Sequence, residues 1–480
     1  MTGSTISSTV TSTVTLGSGL YPSPLTVIGS GDVAVTAFLA IGIYGPADSG
    51  SLINDGTVTG AAGGTRNSGP ANGGTGVDLF GGSTATNSGT ITGGVAGYYE
   101  FGADFLSGGI GGLGVLLNGG SLANSGLIVG GYALIGRGGT GASLAVGTLT
   151  NTGVIAGGDA TTGDFTGNVH SGGAGVELDP SAALVNHGTI SGGFGRYGGV
   201  GIYLATGPGP SLAVTGVVNG GAGYYGGGLG VSIGGDTLDN TGTITGGAAT
   251  ARFGDFSGGG GVRVEHGGEL TNAGTIVGGG GNPNGGVGGA GVGLSNGAAL
   301  SNAGFITGGT GGYGSAGGVG VGLDSGSNAV TNNAGAIMTG GAGGSALGLV
   351  GGIGGVGASL SGGTLTNAGT ILGGNGGASG QAQGSSGANG GAGVSLTAGA
   401  VVSNTGSIGG GVGGYNAYRI SGGAGAWIGS SSSGGTLDNS GVITGGNGED
   451  VAPDGNNTPK PDEPEPRRHS FALGCAGNFG

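Results

Sequence analysis

The chain of 480 residues contains 143 glycines, far above the roughly 7 % of an ordinary protein, and only 7 % of its residues are charged. Collagen needs an unbroken glycine period of three, and disorder needs low hydrophobicity with high charge, so a 35 % hydrophobic chain with interrupted glycine spacing fits neither class. A net charge of −14 with a single lysine, Lys460, argues against a nucleic-acid partner and an anionic membrane surface.

The N-terminal segment, residues 1–42, carries no copy of the repeat found further along the chain. Met1–Gly19 is rich in serine, threonine and valine, and we predict that the segment forms a β cap, because solenoid ends expose unpaired strand edges. The longest apolar run, Val33–Tyr44, is too short to span a bilayer and lacks the basic flank of a secretory signal. We therefore expect no membrane span and no recognisable signal peptide.

Residues 43–446 repeat the motif Asn-x-Gly-x-Ile, usually followed by Gly-Gly, at a mean spacing of about 32 residues. One of its copies, Val214–Val218, has valine in the asparagine position. A Gly-Val-x-Leu motif such as Gly76–Leu79 precedes nearly every copy, and another apolar residue usually lies two positions before the asparagine. Alternating apolar residues in these pieces predict three short strands per repeat, separated by glycine turns.

Stacking of these repeats predicts an all-β fold, a right-handed parallel β-helix (solenoid) of about 13 rungs. We interpret the recurrent asparagine as structural, because its amide can bond to the asparagine of the next rung and form a ladder. The predicted members of the ladder are Asn54, Asn87, Asn124, Asn151, Asn186, Asn240, Asn272, Asn302, Asn333, Asn367, Asn404 and Asn439.

Residues 447–480 differ in composition from the repeats, because they are rich in proline and acidic residues. This composition predicts a disordered tail. No strong cap is visible after Ile443, so end-to-end self-association through an open last rung is one expectation for this region. Cys475 is the one cysteine, which excludes an intrachain disulfide.

The loops between Ile-x-Gly-Gly and the next Gly-Val carry most of the aromatic residues. Because the repeats stack in register, these loops are predicted to line one flank of the solenoid. Their side chains either fold back over the coil or form a contact surface for a sugar or a protein. The residues predicted for this surface are Tyr98, Tyr99, Phe101, Asp104, Phe105, Asp164, Phe165, Phe194, Tyr197, Tyr224, Tyr225, Phe253, Asp255, Phe256, Tyr415 and Tyr418.

Evidence for enzyme chemistry in the sequence is weak. The group nearest to an acid–base site lies in one repeat and comprises Arg252, Asp255, Arg263, Glu265 and His266, but Val262 and Val264 alternate with its members as in an outward-facing strand. The four histidines lack metal-ligand spacing, and two matches to calcium-binding nonapeptides, Gly73–Phe80 and Gly445–Ala452, are isolated. We predict no catalytic residues, no metal and no cofactor.

The rungs, such as Leu270–Gly279 with the sequence LTNAGTIVGG, resemble passenger domains of bacterial autotransporters and filamentous-haemagglutinin-like adhesins. Ser8–Gly31 is similar to the start of glycine-rich repeat proteins of acetic-acid bacteria that end in an intein-like Hint module. Neither a terminal barrel nor a Hint module is recognisable in this chain, since only five residues follow Cys475. The resemblance implies an extracellular or cell-surface location.

These observations predict a non-enzymatic, adhesin-like or structural repeat protein that contacts a surface glycan or a host or cell-surface protein. The alternatives are a glycan-binding or glycan-cleaving β-helix, and a self-stacking, matrix-forming rod.

Overall fold

The computed structural model describes residues 3–66, 69–101, 105–161, 170–205, 207, 211–251, 254–324, 326–346, 350–379, 387–414, 421–429 and 434–448. Regular elements in these ranges are all strands, without a helix, and most pair in parallel with the equivalent strand of the next coil. This arrangement confirms the predicted all-β parallel β-helix. The chain forms two compact units, Met1–Thr250 with Gly268–Leu270 and Ala251–Gly267 with Thr271–Gly480.

The strands of the first unit fall into three rows that match the three predicted strands of each repeat. The first row contains Val14–Thr15, Ile43–Gly45, Val77–Phe80, Ile202–Leu204 and Val231–Gly234. The second row contains Ser4–Ile6, Leu25–Val27, Ser51–Asn54, Thr84–Asn87, Ser211–Val214 and Thr237–Asn240. Continuous strands join these two rows at Val115–Asn124, Ala142–Asn151 and Val176–Asn186. The third row contains Thr9–Val10, Asp32–Ala34, Thr57–Thr59, Thr90–Thr92, Leu127–Val129, Val154–Ala156, Thr189–Ser191, Val217–Asn219 and Thr243–Thr245.

The second unit repeats the same three rows. Its first row contains Val262–Glu265, Val292–Leu294, Val321–Leu323, Ala358–Ser361, Val394–Thr397 and Ala426–Ile428. Its second row contains Ala299–Asn302, Ala329–Asn332, Thr364–Asn367, Val401–Asn404 and Thr436–Asn439, and the strand Glu269–Asn272 crosses the boundary of the units. Its third row contains Thr275–Val277, Phe305–Thr307, Ile337–Thr339, Thr370–Leu372, Ser407–Gly409 and Val442–Thr444.

Among the described residues, three further pairs of short strands lie outside these rows. Two are antiparallel and one is parallel, and their bounds are Thr65–Arg66 with Gly69–Pro70, Tyr98–Phe101 with Phe105–Gly108, and Gly195–Tyr197 with Gly223–Gly226.

The apolar residues of each row stack on their equivalents and form the core between the strand rows. Leu122 aligns with Leu149 in the second row, and Ile91 aligns with Ile128 in the third. All four side chains are buried, while their strand neighbours are partly or fully exposed. The period-two pattern read from the sequence is therefore the inward–outward alternation of half-buried strands.

The corner between the second and third strands explains the Asn-x-Gly motif. The Asn54 carbonyl oxygen accepts the N–H groups of both Ser88 and Gly89 of the next coil, at 2.8 and 3.0 Å. A Cβ atom on Gly89 would lie only 2.1 Å from the carbonyl oxygen of Gly56. The glycine of the motif is thus required by the close stacking of successive corners.

The asparagine side chains form the predicted ladder inside each unit. Each Nδ2 donates to the Oδ1 of the next member at 2.6–2.9 Å, along Asn54, Asn87, Asn124, Asn151 and Asn186 in the first unit and along Asn272, Asn302, Asn332, Asn367, Asn404 and Asn439 in the second. Val214 aligns with both Asn186 and Asn240 and interrupts the first ladder. Asn54 Oδ1 is buried opposite Val27 and has no hydrogen-bond partner in the described part of the chain.

The prediction of Asn333 as a ladder member is wrong, because Asn332 occupies that position. Asn332 aligns with Asn302, whereas Asn333 is partly exposed and its Nδ2 donates to Ser301 Oγ at 3.3 Å. Six positions separate Asn332 from the buried Met338, compared with four between Asn302 and Ile306. The corner of this coil therefore holds two extra residues, which place the Asn-x-Gly-x-Ile match one residue too late.

The N-terminal segment forms coils of the same parallel β-helix. Ile6 aligns with Val27, and Val27 aligns with Asn54, so these residues occupy the ladder position without an asparagine. The sequence motif was absent there because an apolar residue replaces the amide. Residues 449–480, which include most of the predicted tail, lie outside the described residues.

Two glycine layers complete most coils after the N-terminal segment. The outgoing segment begins at the Gly-Gly pair after a third strand, such as Gly93–Gly94, and the returning segment ends at the Gly-Gly pair before a first strand, such as Gly111–Gly112. Burial in Gly93–Gly97 follows the order buried, buried, exposed, buried, buried. This period of three is that of a polyproline II helix and differs from the period of two of a strand.

Hydrogen bonds connect the glycine layers in two directions. The N–H of Gly93 donates to Val129 O of the next coil at 2.9 Å, while the N–H of Gly112 donates to Gly94 O of the other layer at 2.8 Å. A Cβ atom on Gly112 would lie 2.0 Å from the carbonyl oxygen of Gly74. The interior of these layers is therefore made of backbone atoms, and their packing accounts for much of the glycine content that we had assigned to turns.

Candidate functional site

The outer positions of the returning layer place successive side chains in one row. Ile110, Arg137, Ser171 and Tyr197 each precede a Gly-Gly pair. The N–H groups of Gly111, Gly138 and Gly172 donate to the carbonyl oxygens of Arg137, Ser171 and Tyr197, respectively, each at 2.9 Å. Neighbouring coils thus hold these residues in register, and Tyr197 is 47 % exposed. We call these four residues the returning row.

A tyrosine–arginine cluster, consisting of Arg196, Tyr197, Tyr224 and Tyr225, lies at the end of this row. The strands that carry the cluster pair in parallel. The Tyr225 ring centroid lies 5.0 Å from that of Tyr224 and 6.3 Å from that of Tyr197. Arg196 Cζ lies 4.4 Å from the centroid of the Tyr225 ring, within the range of a cation–π contact.

His170 supports the cluster from inside. Its carbonyl oxygen accepts the N–H groups of Arg196 and Tyr197 at 2.6 and 3.2 Å, and its Nδ1 accepts the N–H of Gly136 at 3.4 Å. Burial, and then the charge of Arg196, lower the pKa of His170 below its usual value. The imidazole is therefore neutral at pH 7 and accepts from the backbone of Gly136, while the His170 carbonyl oxygen holds the backbone of the cluster.

The arginines of this region carry charges that are not paired with carboxylates in the described part of the chain. Arg137 is exposed, and its Nε donates to Ser171 Oγ at 3.1 Å. The one ion pair found among the described residues joins Arg263 and Glu265 at 2.6 Å in the second unit. Two guanidinium groups therefore give this face a local positive charge on a chain of net charge −14.

The outgoing layer exposes a different set of side chains. Val95, Tyr132, Asp159 and Phe194 each follow a Gly-Gly pair and are exposed. Asp159 Oδ1 accepts the N–H of Phe194 at 2.7 Å, which ties adjacent coils together. Because the buried glycines of each layer face the other layer, the exposed residues of the outgoing and returning layers point away from each other.

The structure brings together only part of the aromatic surface predicted from the sequence. Tyr197, Tyr224 and Tyr225 are in contact, whereas Phe194 lies on the outgoing layer and Phe256 accepts an N–H from Asn282 through its carbonyl oxygen in the second unit. Tyr98 and Asp255 are exposed. Outside the described residues lie Asp104, Asp164, Phe165, Phe253, Tyr415 and Tyr418, together with the side chains of Tyr99, Phe101 and Phe105.

A signal in the sequence could have located the returning row. The returning segments share the pattern x-Gly-Gly-x-Gly followed by the first buried residue of a first strand, as in Arg137–Ala142 and Tyr197–Ile202. Alignment on this pattern places Arg137, Ser171 and Tyr197 at one position of consecutive coils. Alignment on the asparagine motif hides this row, because loops of variable length separate that motif from the returning segment.

Asp78 is a buried carboxylate on a first strand. It aligns with Tyr44 and Leu116 of the adjacent coils, and Phe80 of the same strand packs edge-on to Tyr44. The Oδ1 atom of Asp78 has no hydrogen-bond partner among the described residues, and burial raises the pKa of Asp78 from 3.8 to about 6. This aspartate belongs to one of the isolated calcium-type matches.

The described members of the acid–base group do not converge on one point. Arg263 pairs with Glu265, which also accepts from Ser295 Oγ at 3.4 Å, while His266 is exposed at a corner with a φ of 53°. Arg252 lies outside the described residues. Within the described ranges, no group of three or more His, Cys, Asp or Glu side chains is placed to hold a metal ion.

A search for a membrane-spanning helix found none of sufficient length and apolarity in the described part of the chain. No protein-family model matches the sequence, and no curated protein is significantly similar to it. The candidate surface is therefore defined by its geometry alone.

Proposed function

We propose that this protein is a non-enzymatic repeat protein of the cell surface or extracellular space, and that it binds a partner through the exposed side chains of its glycine layers. The observation that carries this proposal is the tyrosine–arginine cluster. Tyrosine and arginine are the residue types most enriched in binding hot spots, because they combine a large apolar area with directed polar groups. Partners of the adhesin-like class, a surface glycan or a cell-surface protein, fit such a surface.

The packing of the layers supports this role. The cluster stands on backbone segments that are hydrogen-bonded both along the row and between the layers, with donor–acceptor distances of 2.7–2.9 Å at Gly172, Gly198, Gly199 and Gly221. Side chains fixed on such a scaffold lose less conformational entropy on binding than those on a mobile loop. The scaffold thus favours binding by a preformed surface.

Binding to a glycan array and to intact cells tests the proposal with the full chain. We expect Tyr197→Ala with Tyr225→Ala to weaken binding at least about tenfold, since each ring contributes on the order of 1–2 kcal/mol to a hot spot. Tyr203→Ala is the matched control, because this tyrosine is exposed on a first strand away from the cluster. Equal binding by the double variant and the control would contradict the proposal.

Self-stacking is the second candidate, and the last described coil of the second unit favours it. Trp427, Ile428 and Val442 on this coil are about half exposed or more. Apolar side chains that are exposed on the outermost described coil are suited to pairing with another copy. Sedimentation of the full chain at increasing concentration tests this candidate: a growing species that Val442→Lys abolishes supports it, and a constant monomer contradicts it.

A further inference from the structure

We infer that the returning row and the tyrosine–arginine cluster recognise an anionic linear polysaccharide, a polyuronate, in which Arg137 and Arg196 bind carboxylates, Tyr197 stacks on a sugar ring, and Tyr225 holds Arg196 in place. This inference rests on the proposed function, because it names the class of partner for the same surface.

The geometry of the row fits a linear polymer that runs along the coil axis. Arg137, Ser171 and Tyr197 occupy one position in three successive coils, and adjacent coils are about 4.8 Å apart. A polymer along this axis meets a guanidinium, a hydroxyl and an aromatic ring in turn over about 10 Å. A compact small molecule would cover only part of this length, because Arg137 and Ser171 are in contact while the Tyr197 ring lies one coil further along the row.

The charge of the row selects an anion. Residues 1–250 contain three arginines and no lysine, and two of these arginines, Arg137 and Arg196, lie on this face within three coils. In the described ranges neither forms an ion pair with a carboxylate. Guanidinium groups bind carboxylates through paired N–H donors, which makes them specific for planar acidic groups.

The stacking of Arg196 leaves its donors available. Its guanidinium lies over the Tyr225 ring, so the face of the cation is used by the ring while the N–H groups lie at its edge. The neighbouring Tyr197 ring is exposed and offers a face to a sugar. A uronate residue presents both partners, a carboxylate and an apolar ring face, within one unit.

The net charge of −14 decides against a nucleic acid as the polyanion. Phosphate backbones carry a high charge density and are bound by surfaces with many basic residues, whereas this face has two guanidinium groups and three tyrosine rings. A polyuronate has one carboxylate per sugar, with a ring face beside each one.

A calorimetric titration of the full chain with polygalacturonate tests the inference. The matched ligand is the fully methyl-esterified polymer, which keeps the sugar rings and removes the charge. We expect the acidic polymer to bind at least about tenfold more tightly, because charge-assisted hydrogen bonds contribute more than neutral ones. Equal affinity for the two polymers overturns the inference.

Variants assign the preference to the two arginines. Arg137→Gln with Arg196→Gln should abolish the preference for the acidic polymer, and Arg263→Gln, which removes an arginine already paired with Glu265, should leave it unchanged. The charge-retaining pair Arg137→Lys and Arg196→Lys should restore only part of the preference, because lysine lacks the paired donors. A preference that survives both glutamine substitutions contradicts the inference.

The two proposals fail in different ways. If neither form of the polymer binds but another glycan or protein binds in a manner that depends on Tyr197 and Tyr225, the polyuronate inference is wrong and the proposed function stands. If an acidic protein binds instead, with the same dependence on the arginines, the partner class is wrong. If no ligand binding depends on the two tyrosines, both proposals are wrong.

Discussion

The strand rows and the glycine layers bury their backbones in two different ways. In the rows, side chains such as Leu122 and Ile128 fill the space between strands, and the backbone bonds only to the coils before and after it. In the layers, glycines and a few buried alanines such as Ala61 and Ala96 lie between the segments. Carbonyl oxygens occupy the places where the Cβ atoms of many of these glycines would stand, 1.8 Å from the ideal Cβ of Gly138. The rows depend on the hydrophobic effect, and the layers depend on close contact between hydrogen-bonded backbones.

This difference determines which substitutions each region tolerates. A hydrophobic core accepts exchanges that preserve volume, because side chains repack. A glycine whose Cβ position is occupied by a carbonyl oxygen accepts no side chain, since the adjacent atoms are peptide groups fixed by their own hydrogen bonds. The glycine layers are therefore expected to be the more sensitive region, although few side chains larger than alanine are buried inside them.

The largest effect is expected for Gly288→Ala in the returning layer of the second unit. Its Cβ would lie 1.9 Å from Gly309 O, so the layers must separate, and we expect a loss of more than about 3 kcal/mol in the free energy of unfolding. Gly293→Ala is the control, because no atom lies within 4 Å of its Cβ and alanine is favoured over glycine in a strand. Urea unfolding followed by circular dichroism measures both, and similar midpoints for the two variants would show that the layer is not closely packed.

An intermediate effect is expected for Asn332→Ala in the ladder. The substitution removes hydrogen bonds to Asn302 and Asn367 and leaves buried amide groups unpaired, which costs about 2–4 kcal/mol. Asn333→Ala next to it removes one long hydrogen bond at a partly exposed position and is expected to cost less than about 1 kcal/mol. The same unfolding measurement compares them, and a larger loss for Asn333→Ala would restore the assignment made from the motif.

The smallest effect is expected for Asp78→Asn, and it depends on pH. Burial raises the pKa of this carboxyl from 3.8 to about 6. Between pH 3.8 and about 6, the folded state therefore keeps a proton that the unfolded state has already released. The free energy of unfolding therefore falls as the pH rises from about 4 to 6. The uncharged side chain of the Asp78→Asn variant does not titrate and avoids this loss. We expect a gain on the order of 2–3 kcal/mol at pH 7.5 and none at pH 3.5, measured by thermal unfolding. A gain of equal size at both pH values would indicate a packing effect instead.

The strand rows were predictable because particular side chains recur at fixed positions in every strand row. Alternation at Leu122 and Ile128 reflects a buried face with a period of two, and the asparagine recurs because an unpaired buried amide is costly. The choice between Asn332 and Asn333 was not predictable from the motif, since both lie beside a glycine corner. Only the alignment with Asn302 and Asn367 of the neighbouring coils selects one of them.

The binding surface was predictable in its residue types and not in its arrangement. The sequence indicated that aromatic residues lie between the Gly-Gly pair and the next first strand, and Tyr197, Tyr224 and Tyr225 do. It gave no reason to join Arg196 to Tyr225 or Arg137 to Ser171, because these partners lie 29 and 34 positions apart in loops of different length. Their contacts follow from the register of the glycine layers.

The sequence by itself determined the repeat, the three strand rows and the corner with its asparagine, because each of these requires a particular side chain at a particular position. Only the tertiary structure decided that most of the remaining glycines form a packed layer, which places charged and aromatic residues in rows. Glycine has no side chain whose polarity or size would indicate in the sequence whether the residue is buried. Its role therefore depends on how closely the backbone of another coil approaches it.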